Sequence, residues 1–93
     1  SQKSKYYFKG LIAKNNGQTE IAIENFEQYL ELEENPLINY KLADLYLKKG
    51  NHKKALLHFK KTEDSGKQLM LQGLGQKYFQ LKMYKEALLD NLI

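Results

Sequence analysis

The sequence contains no cysteine and no arginine, and neither an apolar run approaching a membrane span nor the strict alternation of a strand. Without cysteine there are no disulfides, no thiol nucleophile and no thiolate zinc site, and a reducing cytosol is weakly favoured as the compartment. All 15 basic residues are lysine, so the planar guanidinium fork that reads phosphate or carboxylate bidentately is missing. That lowers the case for a dedicated nucleic-acid or phosphopeptide reader. A membrane helix needs about 20 successive apolar residues, and none is present. What remains is a chain of 93 residues, 42% hydrophobic, which is too apolar for disorder and long enough for one domain, residues 1–93.

The residues that are there recur. Gly17, Ala22 and Phe26 are followed 33 residues later by Gly50, Ala55 and Phe59, and Ala55 is followed by Ala87 after 32. A period of that size marks stacked helical units. Apolar residues from Tyr6 to Asn15 predict a short helix stopped by Asn16-Gly17. Thr19 to Glu33 reads as a second, with Ile21, Ala22, Phe26, Tyr29 and Leu30 inward. Asn35-Pro36 starts a third helix that runs to about Lys49, and Asn51 caps a fourth through about Lys61 with Ala55, Leu56 and Phe59 inward. Thr62 to Gly66 is loop-like, with a capping box at Ser65 and Gln68. A fifth helix, with Leu71, Leu74, Gly75 and Tyr78 inward, is expected to end near Leu81, and a sixth to run from Tyr84 to Leu92. The turn between them, Lys82-Met83, lacks glycine, so a strained turn is expected there at a cost of about 1 kcal/mol.

Each unit resembles the tetratricopeptide repeat, a helix, a tight turn and a second antiparallel helix. The resemblance implies an all-α chain whose helix-turn-helix repeats stack in a right-handed superhelix, an α-solenoid of about three units and six helices. Unit bounds are approximately 3–35, 36–67 and 68–93, the whole being expected as a segment of a longer array. The family's small residue in the first helix falls on Gly10, Ala43 and Gly75, and that in the second on Ala22, Ala55 and Ala87. Its aromatics fall on Phe26, Phe59, Tyr46 and Tyr78, which would fill the seam between helices. Departures gather at the ends: Lys9 and Ala13 in the first unit, Asn91 in the third. Asn39 occupies a slot usually held by Trp, for which a local hydrogen bond is the available reading.

The resemblance also implies that the first helix of each unit lines a concave groove. The corresponding stripe is Tyr7, Leu11 and Asn15, then Tyr40, Asp44 and Lys48, then Gln72, Gln76 and Gln80, with Lys41 beside it. Tyr7 and Tyr40 are candidate anchors for a peptide or protein partner, and the glutamines offer paired donors and acceptors to an extended backbone, though a solvated face suits them equally. Family members that clamp the C-terminal carboxylate of heat-shock chaperones use Lys, Asn and Arg at positions that here are Tyr7, Leu11, Lys41, Leu69 and Gly73, so that mechanism is disfavoured.

Acidic residues crowd between Glu20 and Glu34 and lysines between Lys41 and Lys61, which reads as solvated helix faces or as steering of a charged partner. The lysines and a pI near 9.2 leave non-specific RNA contact as a weaker reading. No nucleophile, base and orienting group occur together, nor a phosphate loop or metal-ligand spacing, so no catalytic residue, cofactor, metal or small-molecule substrate is expected. His52 and His58 lie on different helix faces and read as packing residues. The ending Leu88, Leu89, Asp90, Asn91, Leu92, Ile93 forms an apolar helix whose face is expected to be covered by the remainder of a longer array, with self-association as the alternative role.

Overall fold

The computed structural model describes residues 1–90, the side chains of Leu69 and Met70 apart. Asn91, Leu92 and Ile93, and so the end of the expected sixth helix, lie outside the described residues. The chain is helical from α1 (Gln2–Asn15) through α2 (Thr19–Leu32), α3 (Pro36–Lys49) and α4 (His52–Asp64), then α5 (Gln68–Leu71) and α6 (Leu74–Asp90). There are no strands among the described residues.

Local chemistry sets these boundaries. The side chain of Asn35 accepts from the amides of Leu37 and Ile38, with Pro36 in the first turn of α3, and Asn51 accepts from Lys54 N at the start of α4. Gly17 and Gly50, at φ 73° and 89°, take the left-handed conformation that lets each pair reverse within three residues or fewer.

Within each pair the helices approach closely because the residues at the crossing are small. A Cβ on Gly10 would lie 2.5 Å from Cε1 of Phe26, so the ring of α2 sits where any larger residue of α1 would be. Ala43 and Ala55 seal the second pair around Phe59, and all of these side chains are buried. The two pairs then share one core through Ile23, Tyr29, Ile38, Leu42, Leu45 and Tyr46. Lys49 bridges to Glu20 at 2.8 Å across the units, which joins part of the acidic run to the basic one.

Asn39 is a buried polar residue whose amide nitrogen and oxygen each have a hydrogen-bond partner. Its amide nitrogen donates to Glu34 Oε2 at 2.9 Å, and its carbonyl oxygen lies 2.9 Å from Nδ1 of His58, which donates to it. The His58 ring is stacked on Tyr46, with centroids 5.7 Å apart. Nearby, the hydroxyl of the buried Thr62 donates to Pro36 O at 2.9 Å and ties the end of α4 to the start of α3. The slot where the family usually carries Trp is thus held by a hydrogen-bonded Asn-His pair spanning both helices of the unit.

The last third departs from the expected pair. Ser65 does not begin a helix; it caps the end of α4, its hydroxyl donating to Thr62 O at 2.6 Å, and the single turn of α5 starts at Gln68, with Lys67 as its N-cap. The chain breaks at Gln72-Gly73 and then continues as one uninterrupted helix through Lys82-Met83, where a turn was expected. The physical reason is the missing glycine. No non-glycine residue takes a positive φ among those described, so the chain stays helical rather than adopt the strained reversal. Six helical segments result, five of them long, but they are divided differently from the expectation. Gly75 is open, with nothing within 4 Å of a Cβ placed there, and Ala87 is exposed.

Two predictions come from this packing. Gly10→Ala should lower stability by about 1–3 kcal/mol through overpacking against Phe26, whereas Gly75→Ala should be neutral or stabilising, by up to about 1 kcal/mol, both read by urea unfolding. Stability should also fall with pH. Burial, helped by Lys61, pushes the His58 imidazole down from 6.5 to about 4. The unfolded chain therefore takes up the proton first: the contribution is complete above pH 6.5 and is lost as pH falls toward 4. For a half-exposed ring the loss should be roughly 1–2 kcal/mol after solvent screening, and His58→Gln should flatten that part of the profile.

Candidate functional site

The stripe expected to line the concave side divides by how far each side chain is already used in packing. Tyr7 and Leu11 are partly buried on α1 and rest on the core, the Tyr7 ring 6.2 Å from that of Tyr29. Asn15 is exposed near the end of α1. Tyr40 is committed more deeply. Its ring meets Phe59 edge-on at 5.4 Å, and its hydroxyl would lie 2.7 Å from a Cβ on Gly73, so Gly73 allows the backbone between α5 and α6 to pass over it. Tyr40 therefore couples α3 to α4 and to the following segment, and only part of it faces solvent.

Asp44 and Lys48 are joined in one cleft of about 310 Å³ with Gln80, and Lys14 and Lys77 are among the other residues that line it. Asp44 bridges Lys77 at 2.8 Å, which clamps α6 onto α3 and holds the Lys77 ammonium above its usual pKa, chiefly through that hydrogen bond. Lys41 behaves in the opposite way. Burial pulls its pKa below the usual lysine value, the neighbouring Lys14 adds to this, and Asp44 opposes it in part. Gln76 and Gln80 lie on α6 and are exposed, but Gln72 falls at the break before it. The three glutamines do not share one helix, because Gln72 is the C-cap of α5 and α6 begins at Leu74. Lys14 and Lys77 were missed from the sequence. The signal for Lys14 was its place on the first helix of its unit, one turn beyond Leu11; Lys77 carried no signal separable from its neighbours.

A second concavity lies between α4 and α6, about 610 Å³, lined by His52, Leu56, Lys60, Tyr78, Leu81 and Leu88 among others. The Tyr78 hydroxyl donates to Glu63 at one end, and His52 stacks on Tyr84 at 4.8 Å at the other. These contacts fix the first half of α6 antiparallel to α4. Beyond Tyr84 every described residue is exposed.

Helix pairs closed by small residues and stacked through a shared core define a protein-interaction scaffold built from repeats. The chain belongs to the tetratricopeptide repeat family, whose model matches residues 6–36 and 37–61. It is 38% identical over 63 residues to the photosystem I assembly protein Ycf3 of Synechococcus sp. (strain WH7803) and to that of Prochlorococcus marinus (strain MIT 9211), a match covering 63% of this chain and 36% of each relative. The protein of the same name from Synechococcus elongatus is 35% identical over 63 residues, again 63% of this chain and 36% of the relative. The matched region thus spans little more than a third of those relatives' length. No solved structure matches the chain.

The packing of Tyr40 changes how the stripe is to be probed. Tyr40→Ala should cost about 3–5 kcal/mol in thermal or urea unfolding, since it removes an aromatic wedged on Phe59, whereas Gln76→Ala should leave stability unchanged within about 0.5 kcal/mol.

Proposed function

We propose that this chain is a non-catalytic holding surface for an extended, acidic segment of a protein partner, gripped along the first helices of its units. The observation that carries this reading is the gathering of Lys14, Lys41 and Lys48 on α1 and α3, with the Lys41 ammonium partly desolvated beside Lys14. The Lys41 ammonium, disfavoured by burial and then by Lys14, is stabilised when a carboxylate arrives beside it, so the face favours an anionic occupant. Tyr7 and Leu11 supply apolar area beside them, and Gln76 and Gln80 offer amide donors and acceptors at the other edge. The name of the relatives, photosystem I assembly protein, supports a role in bringing protein components together. Contact with nucleic acid is the weaker alternative, since lysines alone would give salt-labile, sequence-independent binding.

Pull-down from the source organism with the intact parent protein tests the reading. A variant carrying Lys41→Ala and Gln76→Ala should lose the prey that the native protein retains, with affinity down about tenfold or more for the purified prey. An unchanged prey profile would place the grip elsewhere. Capture of single-stranded RNA alone, falling steeply between two salt concentrations, would replace the protein-partner reading with the nucleic-acid one.

A further inference from the structure

The concavity between α4 and α6 has two walls from this chain and two contacts that hold them apart at a fixed spacing. Tyr78 donates to Glu63 near one end, and His52 stacks on Tyr84 near the other, with ring centroids 4.8 Å apart. Between these contacts α4 runs for roughly 16 Å, from His52 to Glu63 at about 1.5 Å per residue. The enclosed volume, about 610 Å³, is of the size that a small organic ligand occupies. Leu56, Leu81 and Leu88 make its lining apolar, and Leu56 remains 39% exposed.

Charge is spread unevenly along it. Lys53 and Lys85 each directly follow a member of the His52–Tyr84 stack, and the first turn of α4, the positive end of its dipole, opens there too. Lys60 and Lys82 stand farther along the two walls, and the one acid in the lining, Glu63, lies at the opposite end with Tyr78. Among the described residues none of the four lysines is joined to a carboxylate. The concavity between α1 and α2, about 530 Å³, differs in this respect: its single lysine, Lys9, is matched by Glu24, so it favours neither sign.

We infer that this concavity is a binding site for a small organic anion with an apolar body, a carboxylate or phosphate carried on an acyl chain or ring. The head group meets Lys53 and Lys85, and the body lies along Leu56 and Leu81. Each half of such a ligand needs the other. A bare anion at exposed lysines is held weakly, because water screens the attraction, and an uncharged apolar body leaves the ammonium groups unused. Joined, the body gains from leaving water against the leucines, while the lysine stems lie over it and bring their ammonium groups to the head. The site shares no residue with the lysine face on α1 and α3, so it stands or falls separately from the holding of an acidic segment there.

Titrating octanoate, kept below its critical micelle concentration, into the isotope-labelled protein tests it by amide NMR. Saturable shifts centred on Leu56, Leu81 and Lys85 are expected, with Lys41 and Lys48 unmoved. Octanol, which keeps the body and loses the charge, should bind about tenfold more weakly or worse. Lys53→Glu with Lys85→Glu should weaken octanoate by about tenfold or more, whereas Lys5→Glu with Lys9→Glu, the same change of net charge placed on α1, should alter it by less than about twofold. All four lysines are exposed, so circular dichroism should show folding unchanged. No saturable shift at the groove, octanol bound as tightly as octanoate, or an equal loss in both charge variants would each overturn the site. Shifts produced by phosphatidylglycerol vesicles but not by octanoate would overturn it as well, since the occupant would then be a bilayer surface.

Discussion

The close approach of the two helices in a unit is the constraint on which the rest of the structure depends. Gly10 against Phe26, and Ala43 with Ala55 around Phe59, bring backbones near enough for one aromatic ring to fill each seam. Once a seam closes, the outer faces of the pair are fixed in direction, and the next pair can dock on them through Ile23, Ile38 and Tyr46. Everything proposed about partners concerns faces whose orientation those seams set. A ring in a seam is therefore worth far more than an exposed lysine on a face, and substitutions at the two kinds of position should separate stability from binding.

Polar chemistry refines the same arrangement. Asn39 in the interior of the second unit is tied to the half-buried His58 and to Glu34 at the surface, which adds direction to a packing that apolar residues alone would leave less specific. Asp44 and Lys77 do similar work at the junction with α6, and there the clamp also removes one carboxylate from the lysine-rich face. The acidic and basic runs are partly consumed in joining the first unit to the second, through Glu20 and Lys49 and, more loosely, Glu34 and Lys61 at 3.9 Å. What is left over on α1 and α3 is net positive.

The first two units were legible in the sequence because their signals are local. Asn35-Pro36, Asn51, Gly17 and Gly50 each act within a few residues, and the 33-residue spacing of Ala22 and Ala55 reports a seam that both units complete. The third was misread because its alanine and glycine keep the spacing while the turn between them lacks the residue that makes reversal inexpensive. Spacing reports which residues are suited to a seam; turn chemistry decides whether one chain can close it. The stripe was legible as a set of positions, but the commitment of Tyr40 to Phe59 and Gly73, and of Asp44 to Lys77, depends on segments 19 to 33 residues away and has no sequence signature.

The central claim is that two seams are closed within the chain and the third is left open. Amide hydrogen exchange of the dilute protein, resolved by residue, reads it directly. The amides of Phe26 and Ala55 should exchange only through global unfolding, while that of Ala87 should exchange far faster, as in a helix with no packed partner. Protection of Ala87 equal to that of Ala55 in dilute solution would contradict the account, because it would mean that the third pair closes within a single chain.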